Sequence, residues 1–479
     1  MFTKVKKLFE AQDMTTGSPL KVLAKFAFPL LLGNLAQQLY STIDSIVVGK
    51  YCSVERNGYN GVDALSAVGV STPIVNLLLV IFIAVSTGAG ILVAQYYGAK
   101  DKERLSSCVG TSFVLVILSA LVIMLLGIPF SEPLLRLIDT PVEYIGIASA
   151  YLKITFAGIV GVAFYNIISG ILRGMGDSFY PLLYLLVASA INIILDIWFV
   201  AGFGWGVHGV ALATIIAQAI SAILCIRRIL KMKDVIHLSK ETIKPKMNIS
   251  KLVFKLGVPS GVTQAVFSIA MVFVQSLTNN MGSYVPAISV AIMRVDGFAV
   301  LPAFAFGLAI STYIGQNIGA GKTERIKTGE KAALKLSFGT SVCIVLCLIL
   351  FGKQLIEIFI NEESTSPEIY RNIVEFGGNG LKILTIAYIS IGFTQVYGGI
   401  LRAAGDTVST MVISLITTVA VRVPLAYLFA YLSRTPEWPK GHPYALYTSM
   451  LISWTLGAVL TYLRYRQGKW KNINLLSQR

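Results

Sequence analysis

The hexapeptide LRGMGD at residues 172–177 recurs as LRAAGD at residues 401–406. The pentapeptide QYYGA at residues 95–99 likewise recurs as QNIGA at residues 316–320, and lysine, glutamate and arginine follow shortly after both copies. The two motifs keep the same order in the chain, as expected when one structural unit has been duplicated. The sequence therefore predicts a protein built from two similar halves.

The composition places both halves in a membrane. Of the 479 residues, 55% are hydrophobic and only 13% are charged. Soluble domains carry about 25% charged residues, so a soluble globular protein is excluded. Twelve apolar runs along the chain are each long enough to cross about 30 Å of hydrocarbon, and they lack the alternation of barrel strands. We predict an all-α integral membrane protein with twelve transmembrane helices in two pseudo-symmetric six-helix bundles.

The repeat divides the chain into an N-terminal lobe, residues 1–240, and a C-terminal lobe, residues 241–479. Since each lobe has an even number of spans, both should cross the membrane in the same sense, with their symmetry axis along the membrane normal. The basic segment from Arg227 to Lys255 is a linker long enough to let the lobes rock. This architecture predicts a substrate cavity between the lobes.

The net charge of +16 is an orientation signal. Most of the 40 Lys and Arg residues fall in the segments that lie inside when both termini are cytoplasmic, which is the positive-inside bias. We therefore predict a multi-pass protein of the plasma (inner) membrane with both termini in the cytoplasm and no nucleic-acid partner. The basic, amphipathic stretch from Met1 to Thr16 is predicted to lie as a short helix on the anionic inner leaflet, not to act as a signal peptide.

Two carboxylates fall deep within apolar spans: Asp44 in span 1 and Asp196 in span 5. A charge at bilayer depth costs roughly 2.5–3.5 kcal/mol even on lenient insertion scales, so it persists only where it is partnered, hydrated or used. Helical spacing places further polar residues on the same helix faces as these two acids, and others on one face of span 6. These residues are Gln37, Tyr40, Asn192, Thr214 and Gln218. The three polar faces should meet inside the N-terminal lobe, away from lipid.

Each polar residue alone is explained by ordinary hydrogen bonding between helices, but two aspartates favour an ion-coupling site. If the carboxyl groups of Asp44 and Asp196 approach closely, repulsion and desolvation favour a proton shared by the pair. Such a pair suits a membrane protein driven by a proton gradient. Such a protein needs a group that is charged while it faces one side of the membrane and neutral while the cavity is closed to both sides. The same oxygens would also suit Na⁺, so the sequence leaves H⁺ and Na⁺ both open.

A second polar set lies in the C-terminal lobe. Arg294 and Asp296 are two residues apart in span 8, so they point to different sides of a regular helix. Arg422 in span 11 would neutralise Asp296 as a structural ion pair, or Asp296 would face the cavity and contact cationic substrates. The candidates for the substrate cavity are Asn166, Gln218, Arg294 and Asp296.

Hinge and gate candidates follow from the repeat. Pro29 and Pro259, at matching places in spans 1 and 7, are predicted to bend their helices. The repeated turns are explained as tight connections in which glycine permits the turn and aspartate caps the next helix. Alternatively they form an inner gate whose charged pairs exchange partners as the lobes move. The gate candidates are Arg173, Asp177, Arg402 and Asp406.

These residues together resemble the multidrug and toxic compound extrusion (MATE) family over nearly the whole chain. The resemblance rests on Pro29, on Gln37 with Tyr40 and Asp44, on the Gln95 motif and both Leu-Arg-x-x-Gly-Asp turns, and on Asn192 with Asp196 and Thr214. It implies two six-helix lobes and export driven by inward H⁺ or Na⁺. In the DinF-like branch the cation site matches Asp44, Asn192, Asp196 and Thr214, with Tyr40 and Gln37 adjacent. Another branch uses acids in spans 7 and 10, where this chain offers only Glu375 near the outer start of span 10.

The expected function is secondary antiport: export of amphipathic, mostly cationic organic compounds in exchange for H⁺ or Na⁺. A lipid or lipid-linked oligosaccharide flippase of the same superfamily is the alternative, and a membrane receptor or scaffold would leave the paired acids unexplained. The chain has no G-x-x-x-x-G-K-[ST] motif for ATP, and its three histidines form no cluster with metal-ligand spacing. We therefore expect no enzyme activity, no cofactor beyond the coupling ion, and a monomer in contact with membrane lipids.

Overall fold

The computed structural model describes residues 11–282, 285–360, 366–473 and 475, and in these ranges all regular structure is helical. The N-terminal half contains α1 Pro19–Tyr51, α2 Val54–Asn57, α3 Gly61–Gly98, α4 Lys102–Leu137, α5 Val142–Ala157, α6 Ile159–Gly174, α7 Phe179–Asp196 and α8 Gly206–Lys231, with a π-helical segment Ile197–Gly202 after α7. The linker contains α9 Lys240–Ile243. The C-terminal half contains α10 Met247–Asn280, α11 Val285–Ala299, α12 Leu301–Gly319, α13 Glu324–Glu357, α14 Pro367–Ile383, α15 Thr385–Ala404, α16 Thr407–Leu415, α17 Val423–Leu432, α18 Tyr444–Arg466 and a 3₁₀ turn Lys469–Asn472, with a π-helical segment Ile416–Arg422 between α16 and α17.

Within the described ranges, and counting each bent pair of helices as one span, these helices form twelve spans long and apolar enough to cross a membrane. Ten are continuous, and two are pairs bent by 53° between α5 and α6 and by 43° between α14 and α15. The bent pairs are the fourth and the tenth spans, so they occupy matching places in the two halves. The predicted all-α, twelve-helix membrane architecture is therefore confirmed.

The two large bends do not occur at the predicted prolines. Pro29 and Pro259 lie inside α1 and α10, and each of these helices continues through its proline. The bends lie instead at Gly158 and Leu384, the residues between the helices of each bent pair. A membrane helix tolerates an internal proline because neighbouring side chains and local adjustment satisfy the freed carbonyl group.

Helix α1 connects the two halves. Its first turns, including Leu23 and Phe26, are fully buried in a hydrophobic cluster whose other members come mainly from α12, α13 and α15. Its last turns, including Val47 and Val48, pack in a separate cluster with residues of α3 and α8. A change at Asp44, near the second cluster, therefore acts on a helix that is anchored in both halves.

The repeated turns are held within their own halves. Asp177 is fully buried at its side chain and forms an ion pair with Arg228, and Asp406 pairs at 2.8 Å with Arg464. Arg173 and Arg402 take no part in these pairs, and Gly176 and Gly405 adopt the positive φ values that tight turns require. In this structure each aspartate is neutralised by the last span of its own half, an arrangement that fits the interpretation of the turns as tight connections. The alternative, a gate in which such pairs exchange partners, stays a hypothesis.

Removing the Asp177 partner should destabilise the protein strongly. In Arg228→Ala the buried Asp177 carboxylate keeps its backbone donors, Phe179 and Tyr180, but loses its cation. We expect a loss of about 3 kcal/mol in unfolding free energy, measured as reduced thermal stability in detergent. Arg136→Ala is the control, because its exposed pair with Glu132 should contribute less than about 1 kcal/mol. Equal effects of the two variants would contradict this account.

The N-terminal prediction is only partly testable, because residues 1–10 lie outside the described ranges. Residues 11–17 form turns and not a surface helix. Their backbone groups find partners in both halves: Gln12 N–H donates to Gly176 O, and the Asn317 and Arg325 side chains donate to Met14 O and Gly17 O. For this described part the surface-helix prediction is wrong, since these partners replace the hydrogen bonds of a helix.

Candidate functional site

The structure brings Asp44 and Asp196 together inside the N-terminal half. Their carboxyl groups interact directly across α1 and α7. Asp196 is fully buried, and among the described residues neither of its oxygens nor Asp44 Oδ1 has a hydrogen-bond partner. Asp44 is half-buried. Two carboxylates this close and shielded from water repel one another, which favours a proton or a cation on the pair. This arrangement is compatible with the predicted ion-coupling site.

The local backbone positions Asp196 at a change of helix type. It ends α7, and a π-helical segment follows directly. Short π-helical segments are frequent at functional sites, because they shift the side chains that follow onto another face. One turn earlier, Asn192 is 2% exposed and therefore lies on the same buried face.

A small cavity of about 10 Å³ lies beside the acids. It is lined by polar and apolar residues of α1, α7 and α8: Tyr40, Leu185, Ala188, Ser189, Asn192, Thr214, Ala217 and Gln218. Asn192 Nδ2 donates to Thr214 Oγ1 at 3.5 Å, whereas the oxygens of Asn192, Ser189 and Gln218 have no partner in the described part of the chain. This volume is close to that of one water molecule, and the free oxygens suit a hydrated proton or a small hard cation.

The predicted residues differ in their distance from this cluster. Tyr40 lines the cavity and acts electrostatically on both acids, and Gln218, predicted for the substrate cavity, belongs here as well. Gln37 is exposed and does not line the cavity. Asn166 donates to Val162 O within α6, at 2.8 Å.

Sequence reasoning missed Tyr151 of α5 and Ser189 of α7. The Tyr151 ring interacts electrostatically with both Asp44 and Asp196. Tyr151 has no polar neighbour at helical spacing except Thr155, so the sequence around it does not indicate a polar helix face. Ser189 precedes Asn192 by three residues, so the same helical periodicity that selected Asn192 and Asp196 would have included it.

The C-terminal half holds a separate polar cluster around Asp296. Tyr388 and Arg422 interact with its carboxyl group, while Asp296 Oδ1 lacks a hydrogen-bond partner among the described residues. The expected Asp296–Arg422 ion pair is not among the contacts found in the described ranges. Instead, Arg422 Nη2 contacts the sulfur atoms of two methionines, Met271 and Met450. Arg294 is exposed and points elsewhere.

Hydrogen bonds connect the two halves at one end of the bundle, and we call this set of bonds the clasp. We call this end the basic end; it comprises the N-terminal segment, the repeated turns, the linker and the residues after α18. Gln95 Nε2 donates to Ala403 O at 2.8 Å, and its repeat counterpart Gln316 Nε2 donates to Gly174 O at 2.9 Å. Both glutamines are buried, and Gln316 Oε1 also accepts from Met14 N–H.

Two glycines make this clasp possible. A Cβ atom on Gly98 would collide with the Gln316 carbonyl oxygen, and one on Gly319 would collide with the Gln95 carbonyl oxygen. The ends of α3 and α12 therefore cross at backbone contact. Sequence reasoning used the Gln95 and Gln316 motifs only as landmarks of the repeat, although their matching positions predict equivalent contacts in the two halves.

Relatives of this chain cover its full length. It is 32% identical over 471 residues to the probable multidrug resistance protein YpnP of Bacillus subtilis, an alignment that covers 98% of this chain and 100% of that protein. It is 26% identical to the probable multidrug resistance protein NorM of Thermotoga maritima, covering 96% and 94% of the two chains. It is 23% identical to the multidrug export protein MepA of Staphylococcus aureus, covering 85% and 86%.

Solved structures share the fold. A transporter of the MOP superfamily from Pyrococcus furiosus superposes with a TM-score of 0.86 at 23% identity, covering 96% of this chain and 98% of that one. A structure described as the outward-facing conformation of a multidrug resistance MATE family transporter gives a TM-score of 0.85 at 23% identity, covering 96% and 98%. The MatE family model matches residues 29–198 and again residues 259–428, once in each half. The chain belongs to the MatE family, the multidrug and toxic compound extrusion transporters.

Proposed function

We propose that this protein is an ion-driven exporter of amphipathic organic cations, with a proton at Asp44 and Asp196 as the coupling ion. The observation that carries the proposal is the pair of facing carboxyl groups, in which Asp44 Oδ1 and both Asp196 oxygens have no hydrogen-bond partner among the described residues. The names of its relatives, multidrug resistance and multidrug export proteins, support the substrate class. The basic end is taken as cytoplasmic, in a protein that works as a monomer in the inner membrane.

In this cycle, a proton binds to the acid pair from the outside and substrate leaves the cavity between the halves. The proton leaves to the cytoplasm after the halves have rocked, and the restored negative charge favours capture of the next cation. Because α1 is anchored in both halves, a change in the ionisation of Asp44 acts on the packing between them.

The structure described here corresponds to the state that is closed at the basic end. For the site to open to the cytoplasm, the hydrogen bonds of Gln95 and Gln316 to the opposite turns must break, as must those of the N-terminal segment. Each such hydrogen bond contributes about 1 kcal/mol, so the clasp is strong enough to hold the closed state and weak enough to open.

The energetics allow this role. One charge that moves inward across 100 mV supplies about 2.3 kcal/mol, and a tenfold substrate gradient costs about 1.4 kcal/mol. That potential supports a substrate gradient of up to roughly fiftyfold only when a net charge moves. Exchange of one proton for one monovalent cation is electroneutral and supports about tenfold per pH unit. The same oxygen-lined cavity would accept Na⁺ in place of the proton, and this is the one alternative ion that its donors favour.

The test is transport of ethidium, a fluorescent organic cation, by the purified protein in liposomes. We expect ethidium to move against its gradient when a pH gradient is imposed, and this movement should stop on addition of a protonophore. Transport that follows an imposed Na⁺ gradient and ignores the protonophore would replace H⁺ by Na⁺. Movement of a fluorescent lipid between leaflets without ethidium transport would reject the exporter in favour of a flippase.

A further inference from the structure

A pocket at the basic end, away from the acid pair, has the composition of an anion-binding site. Its volume is about 300 Å³, and it lies between the start of α13, the end of α18 and the 3₁₀ turn that follows. Four cationic residues line it: Lys327, Lys331, Arg466 and Lys471. Glu330 is the one acid in the lining, which is completed by Tyr465 and Trp470.

The four cations of the pocket are available to a ligand. The ion pairs found within the described ranges involve other arginines, so none of these four is neutralised there. Glu330 is engaged differently, because its carboxylate accepts a hydrogen bond of 2.5 Å from the Tyr465 hydroxyl. The pocket therefore carries an excess of positive charge that its own acid does not cancel.

The aromatic wall gives the pocket a defined shape. Trp470 is 3% exposed, stacks on Tyr465 with 5.4 Å between ring centroids, and donates its indole N–H to Tyr465 O. Gly468 adopts φ +71°, the left-handed conformation that reverses the chain after α18 and folds the 3₁₀ turn back over it. Rings that combine an apolar body with a polar edge are typical of the membrane–water interface.

The wall continues into a segment that packs on the repeated turn of the C-terminal half. Side-chain carbons of Ile473 and Leu475 approach Gly405, and Leu475 is 2% exposed within a cluster formed mainly by the N-terminal half, the linker and the start of α10. The four cations are themselves exposed, but the turn that bears Trp470 is packed into the structure at the basic end.

We propose that this pocket binds an anionic phosphate group, as carried by the headgroup of an acidic phospholipid of the inner leaflet. Basic pockets between transmembrane helices on the cytoplasmic side are suited to such headgroups. The cations supply the charge, and the Tyr465 and Trp470 rings supply the interfacial wall along which the glycerol and upper acyl chain would lie. A soluble phosphate compound offers the same chemical group without the acyl chains.

The test is native mass spectrometry of the full-length protein, titrated with phosphatidylglycerol, with phosphatidylcholine and with inorganic phosphate. We expect binding of phosphatidylglycerol, weak binding of phosphatidylcholine, and a loss of phosphatidylglycerol affinity of at least about tenfold in the triple variant K327Q/K331Q/R466Q. The matched control is K240Q/K244Q/K251Q, which removes the same charge from exposed positions in and beside the linker and should bind as wild type. Both variants must show wild-type thermal stability.

A variant that leaves the net charge unchanged distinguishes binding in the pocket from general electrostatic attraction of the lipid to the positive end of the protein. Trp470→Ala removes the wall and should also weaken phosphatidylglycerol binding, although its net charge is that of the wild type. If excess inorganic phosphate displaces the lipid, the phosphate group alone is the ligand; if it does not, the phospholipid is. Equal phosphatidylglycerol affinity in the pocket triple variant and the linker triple variant, or unchanged affinity in Trp470→Ala, would overturn the proposal.

Discussion

Asp44→Asn is expected to abolish the concentrating power of the transporter. Asparagine has nearly the same shape as aspartate but can neither take up nor release a proton, so the cycle loses its coupling to the gradient. Exchange of one proton for one ethidium cation moves no net charge, so at an imposed gradient of about one pH unit the steady-state ethidium ratio across the liposome membrane should fall from up to about tenfold to near unity. Because Asp196 faces Asp44 in the same pair, Asp196→Asn should have the same effect.

The control for this prediction is Asp63→Asn. Asp63 belongs to the capping box at the start of α3, and asparagine preserves an oxygen for that contact. This variant removes the same charge from the same half of the molecule and should transport as wild type. Wild-type accumulation by Asp44→Asn, in protein that is folded and inserted, would reject the assignment of the coupling site.

The second large effect is expected at the crossing of α3 and α12. In Gly98→Val the new side chain would collide with the Gln316 backbone carbonyl, which cannot move aside as a flexible side chain would. We expect the closed basic end to be disfavoured by about 3 kcal/mol, a shift of roughly a hundredfold in population, with transport lost. Gln316→Ala should act in the same direction but less, because it removes hydrogen bonds without a collision.

The measurement is the labelling of a cysteine at residue 403 by a membrane-impermeant maleimide, in a background without the native cysteines. Ala403 is fully buried at the clasp, so labelling should be slow in the parent protein and fast in Gly98→Val. Gly69→Val is the matched control, since this glycine of the same helix has no atom near its Cβ position. Slow labelling in Gly98→Val would show that the closed end does not depend on this crossing.

The general architecture was accessible from the sequence because it follows from simple physical limits. Hydrocarbon thickness sets the length of an apolar span, and backbone hydrogen bonding restricts such spans to helices, so twelve helices in two similar halves could be predicted. The helical repeat then placed Asn192 and Asp196 on one face, and both are buried together in the structure. That the acid pair holds the coupling ion stays a prediction.

Features that depend on side-chain geometry between distant helices were not predictable. Asp296 and Arg422 have opposite charges in one lobe, but Met271 and Met450 contact the guanidinium, and no periodicity in the sequence indicates this. The composition of the N-terminal segment predicts a position on the membrane surface, whereas the partners of its described part lie in a turn and at a helix end more than 150 residues away in the sequence. The gate was sought in charged pairs, yet neutral glutamine amides connect the halves.

The central claim is that the Asp44–Asp196 pair gives up its proton when substrate binds, and counting protons tests it most directly. Weakly buffered, detergent-solubilised protein is mixed with ethidium, and a pH indicator records the protons released per bound cation. The account predicts release of about one proton in the wild type and none in the double variant D44N/D196N. Equal proton release by the two proteins, with ethidium bound to both, would contradict it.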